Sequence, residues 1–272
     1  MTNFFKRLGL VQASNDSSLC IGLDPDPGRL PGAVRGATHA VFEFNRAIID
    51  ATSDVVCCYK PQIAHYAAIA AERDLEMTID YIKQKGIPLL LDAKRGDIGS
   101  TAERYAAELF ERYGADAATI NPYLGLDSIE PFLAWTDRGC FLLCRTSNPG
   151  GADVQNLMLD SGKQVYEHIA ELAARDWNQH GNVGLVVGAT QPTELARIRE
   201  LTGAMTFLVP GIGAQGGDIG ATMEAGQGGG LILSSSRQII YAGEAAGNDF
   251  ARAARDAAIA TQTEINRFRN AA

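Results

Sequence analysis

Residues 88–101 read P-L-L-L-D-A-K-R-G-D-I-G-S-T. The apolar run at the start of this stretch has the length and composition of a buried strand, and the pattern after Ile98 is that of a helix. Side chains at positions i and i+2 of an extended strand point the same way, so Asp92 and Lys94 are expected to share one face above Leu90. The stretch therefore predicts a strand that ends in two opposite charges and leads into a helix.

The same rhythm of a short apolar run followed by an amphipathic segment repeats about eight times along the 272 residues. The predicted strands are Cys20 to Asp24, Val55 to Lys60, Pro88 to Lys94, Asp116 to Asn121, Cys140 to Arg145, Val183 to Gly188, Thr206 to Pro210 and Leu231 to Ser235. The predicted helices are Phe42 to Ala51, Pro61 to Lys85 in one or two pieces, Ile98 to Arg112, Leu126 to Thr136, Gly162 to Asn178, Pro192 to Leu201, Gly216 to Gly226 and Ala246 to Arg269.

Near-continuous apolar strands that alternate with helices indicate a parallel sheet covered by helices. Eight such units, and a length close to the roughly 250 residues typical of the fold, favour a single (β/α)8 TIM barrel over residues 1–272. A short N-terminal lead-in and a long C-terminal helix complete the predicted domain. The alternative is an open doubly wound sheet. Such a sheet typically has a G-x-G-x-x-G turn after its first strand, whereas residues 22–28 read G-L-D-P-D-P-G and do not match it.

Composition narrows the class of protein. Hydrophobic residues make up 46% of the chain and charged residues 21%, as in ordinary globular enzymes. We expect a cytoplasmic location, because no apolar stretch approaches the roughly 20 residues of a membrane span and the N-terminus does not resemble a secretory signal. The net charge of −8 argues against a nucleic-acid partner but not against a small phosphorylated ligand.

Cysteine and histidine give no indication of a metal site. The five cysteines lie in apolar segments without C-x-x-C spacing, and they are interpreted as reduced, buried thiols. The four histidines are scattered along the chain and form no H-x-H or H-x-x-x-H pair.

Charged residues end three consecutive strands: Asp24 the first, Lys60 the second, and Asp92 with Lys94 the third. Catalytic groups of such barrels sit where strands end and loops begin. An Asp-x-Lys pair at a strand end is also common on ordinary surfaces, and an Asp before Pro25 also forms turns. Packing alone does not readily explain charged residues at three neighbouring strand ends, because burying each charge costs on the order of several kcal/mol. The sequence thus predicts an active site here.

The segment D-A-K-R-G-D-I-G-S-T resembles the D-x-K-x-x-D-I-x-x-T motif of orotidine 5′-phosphate decarboxylases. Other segments resemble that family in the same order and spacing. They are G-L-D-P-D-P at its first strand end, Y-K at its second-strand lysine, T-S-N-P-G at its pyrimidine-contacting serine loop, V-P-G-I-G-A-Q-G-G at its phosphate-loop glutamine and S-S-S-R-Q-I-I-Y-A at its phosphate-binding arginine. Arg95-Gly96 within the motif and the overall length are similar to the longer bacterial subgroup.

The resemblance implies a cofactor-free and metal-free decarboxylation of a pyrimidine nucleotide. It implies that Lys94 protonates the carbon that loses carbon dioxide, and that Asp92 lies near the substrate carboxylate. Lys60 would hold Asp92 and a ribose hydroxyl. Asp97 and Thr101, predicted four residues apart on one face of the next helix, would reach into the site of a partner subunit, which implies a homodimer.

The remaining substrate contacts implied by the resemblance lie at other strand ends. Asp24 would bind a ribose hydroxyl, a role that suits a carboxylate acceptor. Ser147 would contact the pyrimidine, although a Ser-Asn-Pro-Gly run is also simply a loop. The phosphate end of the substrate would meet Pro210, Gln215, Ser236 and Arg237. Glycines there permit close approach of the backbone, and phosphate sites of these barrels commonly follow strands seven and eight.

Two other functions compete with this one. Metal-dependent phosphosugar enzymes of the same barrel group, such as keto-gulonate-phosphate decarboxylase and hexulose-phosphate synthase, also resemble D-x-K-x-x-D. They need an acidic residue at the second strand end to help bind Mg²⁺, where this chain has Lys60. A catalytically inactive nucleotide-binding regulator should have lost Lys94 or Asp92. The insert at 151–160 and the C-terminal helix are expected to serve packing only.

Overall fold

Eight parallel strands alternate with helices in a computed structural model of the chain, which describes residues 3–212, 216–244 and 249–269. The strands are β1 (Leu19–Leu23), β2 (Cys58–Pro61), β3 (Leu90–Arg95), β4 (Ala117–Ile120), β5 (Gly139–Arg145), β6 (Val183–Val187), β7 (Phe207–Pro210) and β8 (Leu231–Ser235). Every strand predicted from the sequence is present, with its ends moved by three residues or fewer.

The sheet closes on itself. Its hydrogen-bonded order is β2-β1-β8-β7-β6-β5-β4-β3, so β2 and β3 are its two ends. Isolated bridges from Tyr59 to Leu89 and from Gln62 to Asp92 join those ends. The predicted (β/α)8 barrel is therefore confirmed, and the doubly wound alternative is wrong.

Helices surround the barrel. They are α1 (Phe4–Ser14), α2 (Gly32–Arg35), α3 (Ala40–Thr52), α4 (Ile63–Ala67), α5 (Glu72–Gln84), α6 (Gly99–Ala107), α7 (Leu126–Leu133), α8 (Ala152–Gln155), α9 (Val165–Leu172), α10 (Pro192–Thr202), α11 (Ile219–Ala225), α12 (Arg237–Ile240) and α13 (Phe250–Arg269). One π-helical turn extends α6 over Glu108–Arg112 and another extends α9 over Ala173–Trp177. No helix in these described ranges combines the length and the apolar character that a membrane crossing requires.

The core has two layers. Leu90 packs inside the barrel with side chains such as Phe141 and Ile232, while Leu89 and Leu91 pack between the sheet and the helices. This alternation is the two-residue period of a strand. Strand β2 begins only at Cys58, so Val56 precedes it and packs in the outer layer, whereas Cys58 packs inside the barrel. All five cysteines are buried and free, as expected.

The N-terminal lead-in forms α1, a helix that the sequence pattern did not reveal. Phe4 and Leu8 pack with the barrel-interior side chains, and the Phe4 ring meets Phe141 edge to face at 5.8 Å. Gly139 makes this possible, because a Cβ there would lie 2.6 Å from the Phe4 ring. Arg7 Nη1 lies 2.6 Å from Asp116 Oδ1 beside β4. Helix α1 thus plugs the barrel at the amino ends of its strands.

The C-terminal helix α13 has the expected packing role. Phe250 stacks on Phe44 of α3 with 5.6 Å between ring centroids. Ala254, Ala258 and Ile265 are fully buried along the same helix. The predicted start of this helix at Ala246 lies outside the described residues.

The plug formed by α1 can be tested by truncating its buried ring. Phe4→Ala should lower the free energy of unfolding by about 3 to 5 kcal/mol, because the large buried side chain leaves a cavity. Leu10→Ala on the same helix removes a side chain that is 68% exposed and should change stability by no more than about 0.5 kcal/mol. Urea unfolding followed by circular dichroism measures both. If both substitutions lowered the free energy of unfolding equally, the proposed packing of α1 into the end of the barrel would be contradicted.

Candidate active site

A cavity of about 450 Å³ opens at the carboxyl ends of the strands. The side chains that line it come from the carboxyl-terminal parts of the strands and from the segments that follow them. The lining includes most of the predicted site residues: Asp24, Lys60, Asp92, Lys94, Ser147, Pro210, Ser236 and Arg237. Asp97 and Thr101 are not part of this lining, and Gln215 lies outside the described residues.

A carboxylate lies between two ammonium groups at the base of the cavity. Lys60 Nζ lies 2.9 Å from Asp92 Oδ2, and Lys94 Nζ lies 2.5 Å from Asp92 Oδ1. Lys60 and Asp92 are buried, whereas the Lys94 side chain is 44% exposed. Lys94 is therefore the member of this triad that is accessible to a ligand in the cavity.

The two buried members of the triad, Lys60 and Asp92, stay ionised because opposite charges compensate them. Burial alone would lower the pKa of the Lys60 ammonium, but the negative charges of Asp92 and Asp24 outweigh burial and raise that pKa. Burial would likewise raise the pKa of Asp92, yet Lys60 and Lys94 hold it well below its usual range. Near neutral pH the buried carboxylate and the buried ammonium are thus both charged.

Lys94 reaches Asp92 by a route that strand periodicity did not predict. Its φ is +49°, a left-handed conformation rare for residues other than glycine, and the pairing of β3 with β4 shifts register between Leu91 and Arg95. Asp92 and Lys94 therefore do not share a face through a regular two-residue alternation. The Lys94 side chain instead turns back over Asp92 from a bulged strand end.

Thr119 of β4 stabilises this bulge, and the sequence analysis did not single it out. Its hydroxyl accepts hydrogen bonds from the backbone N–H groups of Ala93 and Lys94, both at 3.0 Å. The same hydroxyl donates to Asp92 Oδ1 at 2.8 Å. Thr119 thus fixes the carboxylate and the backbone of the neighbouring lysine together. The one available signal was a polar residue within the otherwise apolar run of β4.

Asp24 is oriented by Ser236, which lies between the last strand and α12. Ser236 Oγ donates to Asp24 Oδ2 at 2.7 Å and to the Gly22 carbonyl at 3.1 Å. A Cβ on Gly22 would lie 2.8 Å from the Ser236 Cβ, so only glycine permits this approach. Asp24 Oδ1 is buried and accepts no hydrogen bond from the described residues. A hydroxyl donor on a ligand would satisfy it.

The opposite end of the cavity lies beside β7 and β8. Pro210, Gly211 and Ile212 line it, together with Arg237 at the start of α12. Gly211 has a φ of +99°, and its carbonyl accepts a hydrogen bond from Gly217 N at 3.1 Å. This bond joins two described residues on either side of positions 213–215. The exposed Arg237 guanidinium is suited to phosphate oxygens.

Asp97 and Thr101 lie outside this cavity, and their relation to α6 differs from the prediction. Helix α6 begins only at Gly99, so Asp97 precedes the helix, where its Oδ1 accepts a hydrogen bond from Ile98 N at 2.8 Å. Thr101 is exposed in the first turn. The prediction that both lie on one helical face is therefore wrong.

Comparison with known proteins identifies the family. A family model described as "Orotidine 5′-phosphate decarboxylase / HUMPS family" matches residues 17–248. The chain belongs to this family. The resemblance inferred from the sequence motifs is confirmed.

Relatives in the family match over the full length. A protein of Azoarcus sp. (strain BH72) named orotidine 5′-phosphate decarboxylase is 58% identical, with 98% of this chain and all of the relative covered. One of the same name from Cellvibrio japonicus is 56% identical, with 97% and 98% covered.

Two solved structures from Leishmania donovani share the fold. Its OMP decarboxylase is 38% identical, with both chains fully covered and a TM-score of 0.85. Its UMP synthase is also 38% identical, with a TM-score of 0.87; 99% of this chain is covered, but only 57% of the longer protein.

His65 of α4 is a second residue of this family member that the sequence analysis missed. It lines the cavity, and its ring Nδ1 lies 3.3 Å from the Pro25 carbonyl. His65 has no histidine partner at a metal-binding spacing, and a single histidine five residues after Lys60 does not by itself indicate a cavity residue.

The buried pair of Asp92 and Lys60 yields a stability prediction. Asp92→Asn removes the charge that compensates a buried ammonium, which should cost about 3 to 5 kcal/mol in free energy of unfolding at pH 7. Asp50→Asn is the matched control, because Asp50 pairs with Lys85 at the surface with 46% of its side chain exposed. That exposed pair should contribute less than about 1 kcal/mol. Urea denaturation measures both, and equal small losses would show that Lys60 does not depend on Asp92.

Proposed function

We propose that this protein decarboxylates orotidine 5′-phosphate to uridine 5′-phosphate in de novo pyrimidine biosynthesis, without a cofactor or metal. The observation that carries the proposal is the Lys60–Asp92–Lys94 triad at the base of a cavity large enough for a small ligand. The full-length relatives named orotidine 5′-phosphate decarboxylase support it. A carboxy-lyase that uses only its own side chains agrees with the triad and with the names of these relatives.

The proposed chemistry breaks the bond between the pyrimidine ring and its carboxylate. Carbon dioxide leaves, the electron pair remains on the ring carbon, and Lys94 donates a proton to that carbon. The Lys94 amine then regains a proton from water. Before the transfer, the ammonium of Lys94 also stabilises the negative charge that develops beside it.

Repulsion between Asp92 and the substrate carboxylate contributes only part of the effect. Two like charges about 4 Å apart interact by roughly 4 kcal/mol at an effective dielectric constant of about 20. Enzymes lower barriers by about 8 to 23 kcal/mol. Most of the acceleration must therefore come from stabilisation of the carbanion-like transition state in a preorganised site.

The proposed substrate orientation follows the cavity. Asp24 and Lys60 bind ribose hydroxyls, and the unsatisfied Asp24 Oδ1 supports this role. Ser147 contacts the pyrimidine. Residues that would meet the phosphate or its neighbourhood are Pro210, Gln215, Ser236 and Arg237.

The two competing functions fit the site less well. A metal-dependent phosphosugar enzyme would bind a cation near Asp92, but the Lys60 ammonium already occupies that position at 2.9 Å. No three acidic, histidine or cysteine side chains within the described ranges are grouped to hold a metal. An inactive nucleotide-binding regulator would not need the ion pair between Lys94 and Asp92, which is formed in this structure.

We further propose that the active form is a homodimer, with Asp97 and Thr101 completing the partner's site. Neither residue lines the cavity of its own chain, and a contribution to a partner's site does not need it to. Large apolar side chains are exposed after β3 and β4, in the connecting segments and at the start of α7. They are Ile98, Tyr123, Leu124 and Leu126. Exposed apolar groups of this kind commonly mark a contact surface.

We also propose that residues 1–272 act as one domain and that the protein works in the cytoplasm. The helices at both ends of the chain pack on the barrel, which supports the first proposal. The net charge of −8 and the metabolic names of the relatives support the second.

The central test mixes the purified protein with orotidine 5′-phosphate in excess EDTA and follows the ultraviolet absorbance of the substrate. We expect turnover to continue, because no step uses a metal. Loss of turnover with EDTA and its return with Mg²⁺ would contradict the metal-free mechanism. Binding of the nucleotide without turnover would favour the regulator.

Sharing of sites between subunits can be tested by mixing inactive variants. Lys94→Ala and Asp97→Ala should each be nearly inactive alone. After unfolding and refolding together, random pairing should restore about a quarter of the wild-type activity, because half of the dimers carry one intact site.

A matched control uses two variants with defects in the same half of the site. Lys94→Ala mixed with Asp92→Asn should restore nothing, since each heterodimer site then lacks one member of the triad. If the first mixture also recovers no activity, Asp97 acts within its own subunit and the proposal fails.

A further inference from the structure

We propose that Gln155, in the insert after β5, is a positioning residue that holds the loop of Ser147 in place to recognise the pyrimidine. This inference rests on the proposed function. The insert has so far been assigned packing only. Its contacts indicate a more specific role.

The Gln155 carboxamide makes a two-point contact with Thr146, the residue before Ser147. Its Oε1 accepts a hydrogen bond from Thr146 N at 2.9 Å, and its Nε2 donates to Thr146 Oγ1 at 2.9 Å. Thr146 and Ser147 both line the cavity. One side chain of the insert thus fixes the backbone and the side chain of a residue at the cavity wall.

Arg145, at the end of β5, strengthens the contact between Gln155 and Thr146 by hydrogen bonding to both residues. Its guanidinium is buried at the end of β5, and Nη1 donates to Gln155 Oε1 at 3.2 Å and to the Thr146 carbonyl at 3.0 Å. Nη2 lies 3.6 Å from Glu194 Oε1 of α10. The cation therefore ties the insert and the loop to the barrel at one point.

The insert is held in place by its own packing and hydrogen bonds, so the backbone that carries Gln155 is fixed. Gly151 packs so closely that a Cβ there would lie 2.8 Å from Thr146 Oγ1. After α8 the chain forms a small antiparallel hairpin, with a bridge between Met158 and Gln164 and a hydrogen bond from Val165 N to the Leu157 carbonyl at 3.0 Å. This hairpin connects the insert to the start of α9.

The other side of the loop contacts the end of β6. A Cβ on Gly188 would lie 2.7 Å from Ser147 N, so the two backbones pass in close contact. Thr190 Oγ1 donates to the Ser147 carbonyl at 3.2 Å. The Ser147 backbone is therefore held between β6 on one side and the insert on the other.

The position of Gln155 separates recognition of the base from recognition of the phosphate. It touches the loop after β5, whereas the proposed phosphate contacts follow β7 and β8. Loss of the carboxamide should misplace Ser147 and leave the phosphate end intact. A misplacement of about 1 Å in such a site costs about 100-fold in rate.

The test compares two ligands that differ only in the base. For Gln155→Ala we expect kcat/KM for orotidine 5′-phosphate to fall about 10- to 100-fold. By titration calorimetry, the dissociation constant of uridine 5′-phosphate should rise about tenfold, while that of ribose 5-phosphate should change less than about twofold. Equal weakening of both ligands, or of neither, would overturn the proposal.

Two further variants control for simple loss of structure. Gln155→Glu keeps the acceptor for Thr146 N and offers Arg145 a carboxylate, so it should stay within about threefold of wild type. Val154→Ala truncates a side chain of the same short helix that is 47% exposed, and it should match wild type. If Gln155→Glu is as impaired as Gln155→Ala, the positioning role is wrong. If the wild-type protein itself does not turn over orotidine 5′-phosphate, it is the proposed function that fails.

Discussion

The site depends on a single buried carboxylate that is compensated from two sides. Burial disfavours the charges of both Asp92 and Lys60, and each helps to keep the other ionised, with Lys94 also supporting Asp92 and Asp24 also supporting Lys60. Lys94 completes the set while staying accessible. Mutual compensation keeps the buried pair of Asp92 and Lys60 charged near neutral pH, and the Lys94 side chain faces the cavity. The proposed proton donor therefore works in a field that the fold has already arranged.

That arrangement requires local strain, which neighbouring strands stabilise. The left-handed backbone of Lys94 is unfavourable for a residue with a Cβ, by about 1 to 3 kcal/mol. Thr119 offsets this cost with two accepted hydrogen bonds and one donated bond. Strain at a functional site, relieved by a neighbour that touches no ligand, is a common pattern in enzymes. Residues outside the cavity also hold the loop of Ser147, where Gln155 bonds to Thr146 N and Gly188 packs against Ser147.

The sequence predicted the features that follow from local pattern. Apolar runs located every strand, and charges at the ends of those runs identified Asp24, Lys60, Asp92 and Lys94, because strand ends of a barrel meet at one rim. It did not predict features that need distant contacts. The amphipathic pattern of α1 is weak, and its plug role appears only when Phe4 meets Phe141. Regular alternation also misjudged Lys94, since a bulge depends on the partner strand. Gln155 had no signal in the sequence, because its partner Thr146 lies outside any motif of charged residues.

The closure of the barrel between β2 and β3 gives the triad a second importance. Strand ladders join the other neighbouring strands, whereas among the described residues β2 and β3 are joined by two isolated bridges, one of which includes Asp92 itself. The Lys60–Asp92 ion pair spans the same seam. The charges proposed for catalysis thus also help to hold β2 against β3. A substitution that removes either charge should therefore weaken the contact between these two strands as well as change the site.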